Sequence, residues 1–315
     1  MIKNCIASLL IAFSLILLNS NLLLSEQCIT QEQLEAEVLK ERKKWDINLD
    51  NYYGIEEVIY GLQMISALKN NQTWINDFGM TFVLIQPGTF IMGSPEGETG
   101  RYPIEIQHSV TITQAFYLQT TEVTQGQWKA VMGNNPSKFS GCGDGCPVEK
   151  VSWEDAHEFI EKLNQQENAN RYSLPTEAQW EYAARAGSTS ALANGDLVET
   201  LCGFDTNLNS MGWYCGNAES KTHPVAQKQA NSWGLFDMHG NVWEWCQDWY
   251  GSYPNYSVTD PIGPSSGSNR VQRGGSWHVN ARGARSALRD SDSPDTRYST
   301  IGFRLLRTLD KRMER

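Results

Sequence analysis

Residues 273–306 read RGGSWHVNARGARSALRDSDSPDTRYSTIGFRLL, and this stretch decides the fold. It turns at Gly274-Gly275, carries Trp277, His278, Asn280, Arg282 and Arg285 close behind the turn, and contains no cysteine. Two further segments precede it, residues 174–185 (LPTEAQWEYAAR) and residues 234–245 (GLFDMHGNVWEW). From Gly187 to Arg273 the chain is rich in Gly, Asn and Ser, so long polar loops are expected there. Loops of that length need ties, such as ions, disulfides or buried aromatics, to offset their ordering entropy.

The 315 residues suffice for one large domain or two ordinary ones. A hydrophobic share of 40%, with 11 Trp and 12 Tyr, supplies a core and argues against global disorder. The formal net charge of −10 argues against nucleic acid as a partner, because no basic stripe could dominate that field. Lys3 followed by the apolar residues 6–18 has the form of a signal peptide over residues 1–25, which predicts an exported protein, periplasmic or extracellular. The apolar run extends through Asn19-Ser20-Asn21 to Leu24, so without cleavage it would serve as a membrane anchor.

Residues 26–77 read as a helical segment. Residues 31–45 (QEQLEAEVLKERKKW) and 55–68 lack Pro and place apolar side chains at helical spacing, with one Gly in the second run. Such a pair is either an extension packed on the main domain, a spacer, or a self-association surface. The main domain is expected over residues 78–308, with a charged tail at 309–315. Residues 80–86 read as a strand ended by Pro87-Gly88, residues 89–92 as its hairpin partner, and residues 109–118 as one further strand. Helices are predicted over 124–132, 152–165 and 177–186. Thr124, Ser152 and Thr176 are their N-caps, Asp155 stands three residues beyond Ser152, and Gly187 ends the third helix.

In an oxidising compartment the loop Cys142-Gly143-Asp144-Gly145-Cys146 suits a local disulfide, since its two glycines let the backbone fold back. Cys202 and Cys215 flank a polar loop and form the next pair, while Cys28 and Cys246 stay unassigned. Glu177 and Glu181 share one helix face and read as acids that hold nearby loops or arginines. The five histidines, His108, His157, His223, His239 and His278, are never closer than sixteen positions and give no helical metal motif.

The three quoted segments, in this order, resemble the formylglycine-generating enzyme (sulfatase-modifying factor) family across most of residues 78–308. The resemblance implies an α+β, loop-rich fold related to the C-type lectin fold. It also puts Ala281 and Ser286 where the family's oxidases carry their two active cysteines. A methyl group and a hydroxyl cannot replace soft thiolates, so no copper and no catalytic residue are expected. Carried over residue by residue, a structural calcium site falls on the Asp237 and Glu244 side chains with the Gly240 and Val242 carbonyls. Calcium takes about six to eight hard oxygens, and a tight loop between two acids supplies several. The other reading of Glu244 is that it caps backbone or pairs with an arginine. The position of Trp243 lines the family's peptide groove, and Trp277, His278, Asn280, Arg282 and Arg285 either face that groove or form ordinary polar surface. Three functions follow as expectations: an exported non-oxidase binding or accessory protein for a protein, peptide or glycan partner; an oxidoreductase acting on protein cysteine; or a structural envelope component.

Overall fold

The computed structural model describes residues 73–309. The expected signal peptide, the two helices of residues 31–45 and 55–68, Cys28 and the tail beyond 309 lie outside these residues.

The described residues form three small sheets, four α-helices and two short 3-10 helices. The strands are β1 (Thr73–Ile75), β2 (Thr81–Ile85), β3 (Gly88–Met92), β4 (His108–Ile112), β5 (Phe116–Gln119), β6 (Tyr172–Ser173), β7 (Trp243–Trp249), β8 (Val258–Thr259), β9 (Arg270–Arg273), β10 (Arg289–Asp292), β11 (Ile301–Gly302) and β12 (Leu306–Thr308). The helices are α1 (Gln125–Met132), α2 (Trp153–Gln166), α3 (Glu177–Arg185) and α4 (Thr206–Met211). The first sheet, in the order β1-β2-β5-β12-β6, is antiparallel throughout. The second runs β10-β9-β7-β11, with β11 parallel to β7, and the third runs β3-β4-β8, with β8 parallel to β4.

Strand alternation puts the first sheet between two cores. Met80 and Phe82 enter one cluster with Trp128 of α1, Phe159 and Leu163 of α2, Trp245 and Phe303. Val83, Ile85 and Leu118 enter the other with Ala178, Trp180 and Ala183 of α3, Val110 and Met238. A third, smaller cluster holds Leu192, Leu208, Tyr214, Ala281 and Ala284.

The helix starts follow the sequence. Thr124, Ser152 and Thr176 each accept a hydrogen bond from the backbone three residues on, and the side chains of Gln127, Asp155 and Gln179 in turn accept from the cap backbone N–H. Ala186 takes the left-handed cap of α3 at φ 46°, ahead of Gly187. Two expectations are corrected. The chain passing Pro87-Gly88 does not form a hairpin, because β2 pairs with β1 and β5 whereas β3 pairs with β4. Residues 109–118 divide at Thr113-Gln114-Ala115 into β4 and β5, which belong to different sheets. The region after Gly187 is loop-dominated as expected, interrupted by α4 and three strands, among them β7, whose Glu244 and Asp248 are buried.

Candidate functional site

The three motif segments meet. Gly240 N donates to Gly274 O at 2.8 Å and Trp277 N to Asn241 O at 2.8 Å, stitching the 234–245 loop to the stretch after β9. Trp180 Nε1 of α3 donates to Glu244 Oε2 at 2.7 Å. Arg273 pairs with Glu181, and Arg289 with Glu177 at 2.5 Å, so the acids of α3 do hold arginines. Gly274 permits the approach: at φ +93° a Cβ there would stand 3.0 Å from the Trp180 ring and 3.5 Å from Met238 O.

The 237–244 loop is tightly wound, with Asp237 and Asn241 left-handed at φ 56° and 61°. Asp237 Oδ2 accepts from Ala226 N at 2.7 Å, and its Oδ1 is buried without a partner. Glu244 is committed on both oxygens: Oε2 accepts from Arg304 Nε at 2.6 Å as well as from Trp180, and Oε1 accepts from Arg304 Nη2 at 2.7 Å. Arg304 is fully buried and also donates to the carbonyls of Gln119 and Phe236.

Glu122 completes this neighbourhood, and the sequence reading missed it. It is fully buried just before α1, and neither carboxylate oxygen has a hydrogen-bond partner. Burial, then the charges of Asp237 and Glu244, holds its carboxyl well above the usual range. Asp237 is pushed up to about 6, chiefly by burial. Among the described residues no three His, Cys, Asp or Glu side chains gather as a ready metal cluster. Any ion here would therefore draw on Asp237, Glu122 and loop carbonyls more than on Glu244.

The six residues expected at the groove divide evenly. Trp243 and Trp277 are 7% and 8% exposed; Trp277 Nε1 donates to Ser299 O at 2.9 Å and its ring meets Phe139 edge-on. Arg285 is fully buried and holds Glu105 through two bonds, at 2.8 and 2.6 Å, and Glu98 at 2.6 Å. His278 is exposed, and Asn280 and Arg282 are half-buried, so these three supply the outward surface. Beneath them, Ala281 lies in the third cluster, and Ser286 Oγ is buried with no partner.

Both expected disulfides are present, Cys142–Cys146 and Cys202–Cys215, with Cα separations of 6.0 and 5.3 Å. Cys246 is free and buried. Of the histidines, His239 is a core residue: Nδ1 donates to Ala284 O at 2.8 Å, Nε2 accepts from Ala193 N, and burial lowers it to about 4. It is a neutral structural imidazole. No helix among the described residues is long and apolar enough to cross a membrane.

A loop-rich α+β scaffold closed by buried arginine–carboxylate pairs, with its last motif crossing the β9 turn, defines the class. Residues 73–309 match the sulfatase-modifying factor enzyme 1-like domain, and the chain belongs to that family. The formylglycine-generating enzyme of Streptomyces coelicolor is 36% identical over 52% of this chain and 53% of its own length. The serine/threonine-protein kinase pkn1 of Chlamydia caviae is 31% identical over 70% of this chain and 37% of the kinase. The chain thus spans about half or less of these two relatives. The solved structure of Treponema denticola variable protein 1 superposes with a TM-score of 0.68, at 32% identity, over 76% of this chain and 99% of that one.

Proposed function

We propose that the protein is an exported, non-oxidase member of its family that binds a partner through the outward surface around residues 278–282. The observation that carries this reading is the pair Ala281 and Ser286. Both are buried, and neither offers the thiolate that copper(I) binding or disulfide attack requires. Relatives described as a kinase, a variable protein and a formylglycine-generating enzyme share this domain type, so the scaffold itself prescribes no single activity. Two disulfides favour an oxidising compartment and hence export. In the test, the full chain is supplied with copper and a sulfatase-type Cys-x-Pro-x-Arg peptide, and the products are analysed by mass spectrometry. No aldehyde is expected at any copper concentration, and detection of one would overturn the reading.

A calcium ion tying the 237–244 loop belongs to the same proposal. Its support is the set of uncommitted buried oxygens, Asp237 Oδ1 and both of Glu122. Unpaired buried carboxylates are costly, and a cation would offset that cost. Chelation should lower the melting temperature and added calcium should restore it. Asp237→Asn should lose most of that response. Glu244→Gln is the poorer probe, because it also breaks the Arg304 pair. A metal-free preparation whose melting curve ignores calcium would remove the ion from the account.

A further inference from the structure

Two exposed loops meet at Arg282. The loop of residues 198–204 holds Val198, Leu201 and Phe204 at 73%, 64% and 68% exposure. The other, before β4, presents Tyr102 and Ile104 at 37% and 46%. Arg282 joins them: Ala281 N donates to Leu201 O at 2.9 Å, Arg282 N to Thr200 O at 3.3 Å, and the guanidinium lies 4.0 Å from the Tyr102 ring centre.

The first loop is firmly held. Glu199 Oε1 accepts from the backbone of Thr200 and Leu201 at 2.7 Å each, and Asp205 Oδ2 from Val198 and Glu199 at 2.7 and 2.9 Å. Tyr214 OH donates to Gly203 O and accepts from Asp205 N, and the Cys202–Cys215 bond anchors the middle. None of these ties uses the apolar side chains. Val198, Leu201 and Phe204 therefore contribute little to folding while they stand in water, which is the signature of a surface kept for a partner. A loop ordered in advance also lowers the entropic cost of binding.

Charge narrows the partner. Arg282 has no carboxylate partner among the described residues, and its Nε is buried without a hydrogen bond. Arg101, next to Tyr102, likewise forms no ion pair there; its Nε donates to Ser94 O at 3.2 Å. In a chain of net charge −10, two guanidiniums left unpaired beside apolar side chains are complementary to a carboxylate set within an apolar segment.

We infer that the 198–204 loop, Tyr102 and Arg282 together dock a polypeptide segment that sets large apolar side chains beside a carboxylate. This deepens the binding reading above and rests on it. The test selects random phage-displayed peptides on the full chain and synthesises the strongest. The selected sequences should place Leu, Phe or Trp within a few residues of Asp or Glu. The double variant Leu201→Ser/Phe204→Ser should weaken the synthetic peptide about tenfold or more. Arg282→Gln should abolish the advantage of the peptide's acid over its amide analogue. Unchanged melting curves establish that the variants fold, as expected for side chains outside the core. Peptides without acids, or affinities that neither variant alters, would overturn the inference. Binding that survives these variants and is lost in His278→Ala would leave the binding reading standing and refute this surface. Failure to select any peptide refutes the surface even where a glycan array then shows binding.

Discussion

Asp248 shows what one buried carboxyl does to this domain. It lies on β7 four residues beyond Glu244, without an arginine of its own, and accepts from Glu177 N at 2.8 Å. Burial, then the nearby Glu177 carboxylate, pushes it up to about 7 from an ordinary 3.8. The folded state therefore keeps a proton that the unfolded chain releases near pH 4. Stability contributed by the protonated carboxyl is present below the unfolded value and is lost as pH rises through about 7. Asp248→Asn should match the wild type only below about pH 4, and the gap in its favour should widen by on the order of a few kcal/mol between pH 5 and pH 8. Melting curves at the two pH values check this, and an equal gap at both would refute it. Glu244 was legible in the sequence as one of two outcomes, ion ligand or arginine partner, and the arginine is in place. Glu122 was not legible, because its relation to Asp237 is made by the fold and no local spacing announces it.

At the scale of elements, α3 carries the most buried charge of the helices. Nearly all its residues are buried, including Glu177, Glu181 and Arg185. Glu181 accepts from Gly93 N and Arg185 Nε, both at 2.9 Å, and from Arg273. Burial raises Glu177, yet Arg289 and Arg273 together hold it below its ordinary value. Glu181→Gln should cost about 3–5 kcal/mol, since it leaves the buried Arg185 without a carboxylate and Arg273 with Glu177 alone. Arg297→Ala, which breaks the half-exposed pair with Asp155, should cost under about 1 kcal/mol. Denaturant titration of both variants tests the contrast, and similar losses would contradict it. The face shared by Glu177 and Glu181 was readable from their spacing, and so were the three capped helix starts. Strand partners were not. The chain crosses from β2 to β3 and from β4 to β5 through two and three residues, too abruptly for hydrophobic alternation to mark a change of sheet.

For the whole molecule, the disulfides and the free thiol give a direct check. Unreduced peptide mapping should find Cys142–Cys146 and Cys202–Cys215 bonded, and the closure of the longer loop is worth about 3 kcal/mol. Cys246, fully buried with its thiol held well above its ordinary value, should ignore iodoacetamide until the protein is denatured. Alkylation of Cys246 in the native state would show that the core opens readily. The overall architecture was legible because several multi-residue motifs keep their order along the chain. The division of the groove residues was not, because whether Arg285 faces solvent or Glu105 depends on a loop nearly two hundred residues earlier in the sequence.

One strand has a consequence for how the protein comes into being. β12 lies inside the first sheet, between β5 and β6, and the Arg304 that neutralises Glu244 immediately precedes it. During synthesis, β5 and β6 emerge from the ribosome long before the strand that joins them. Until residue 308 is free of the exit tunnel, that sheet stays split and Glu244 has no counter-charge. The domain thus cannot close piecemeal as it is made. The nascent chain must wait with its aromatic core open, and aggregation competes with folding throughout that interval.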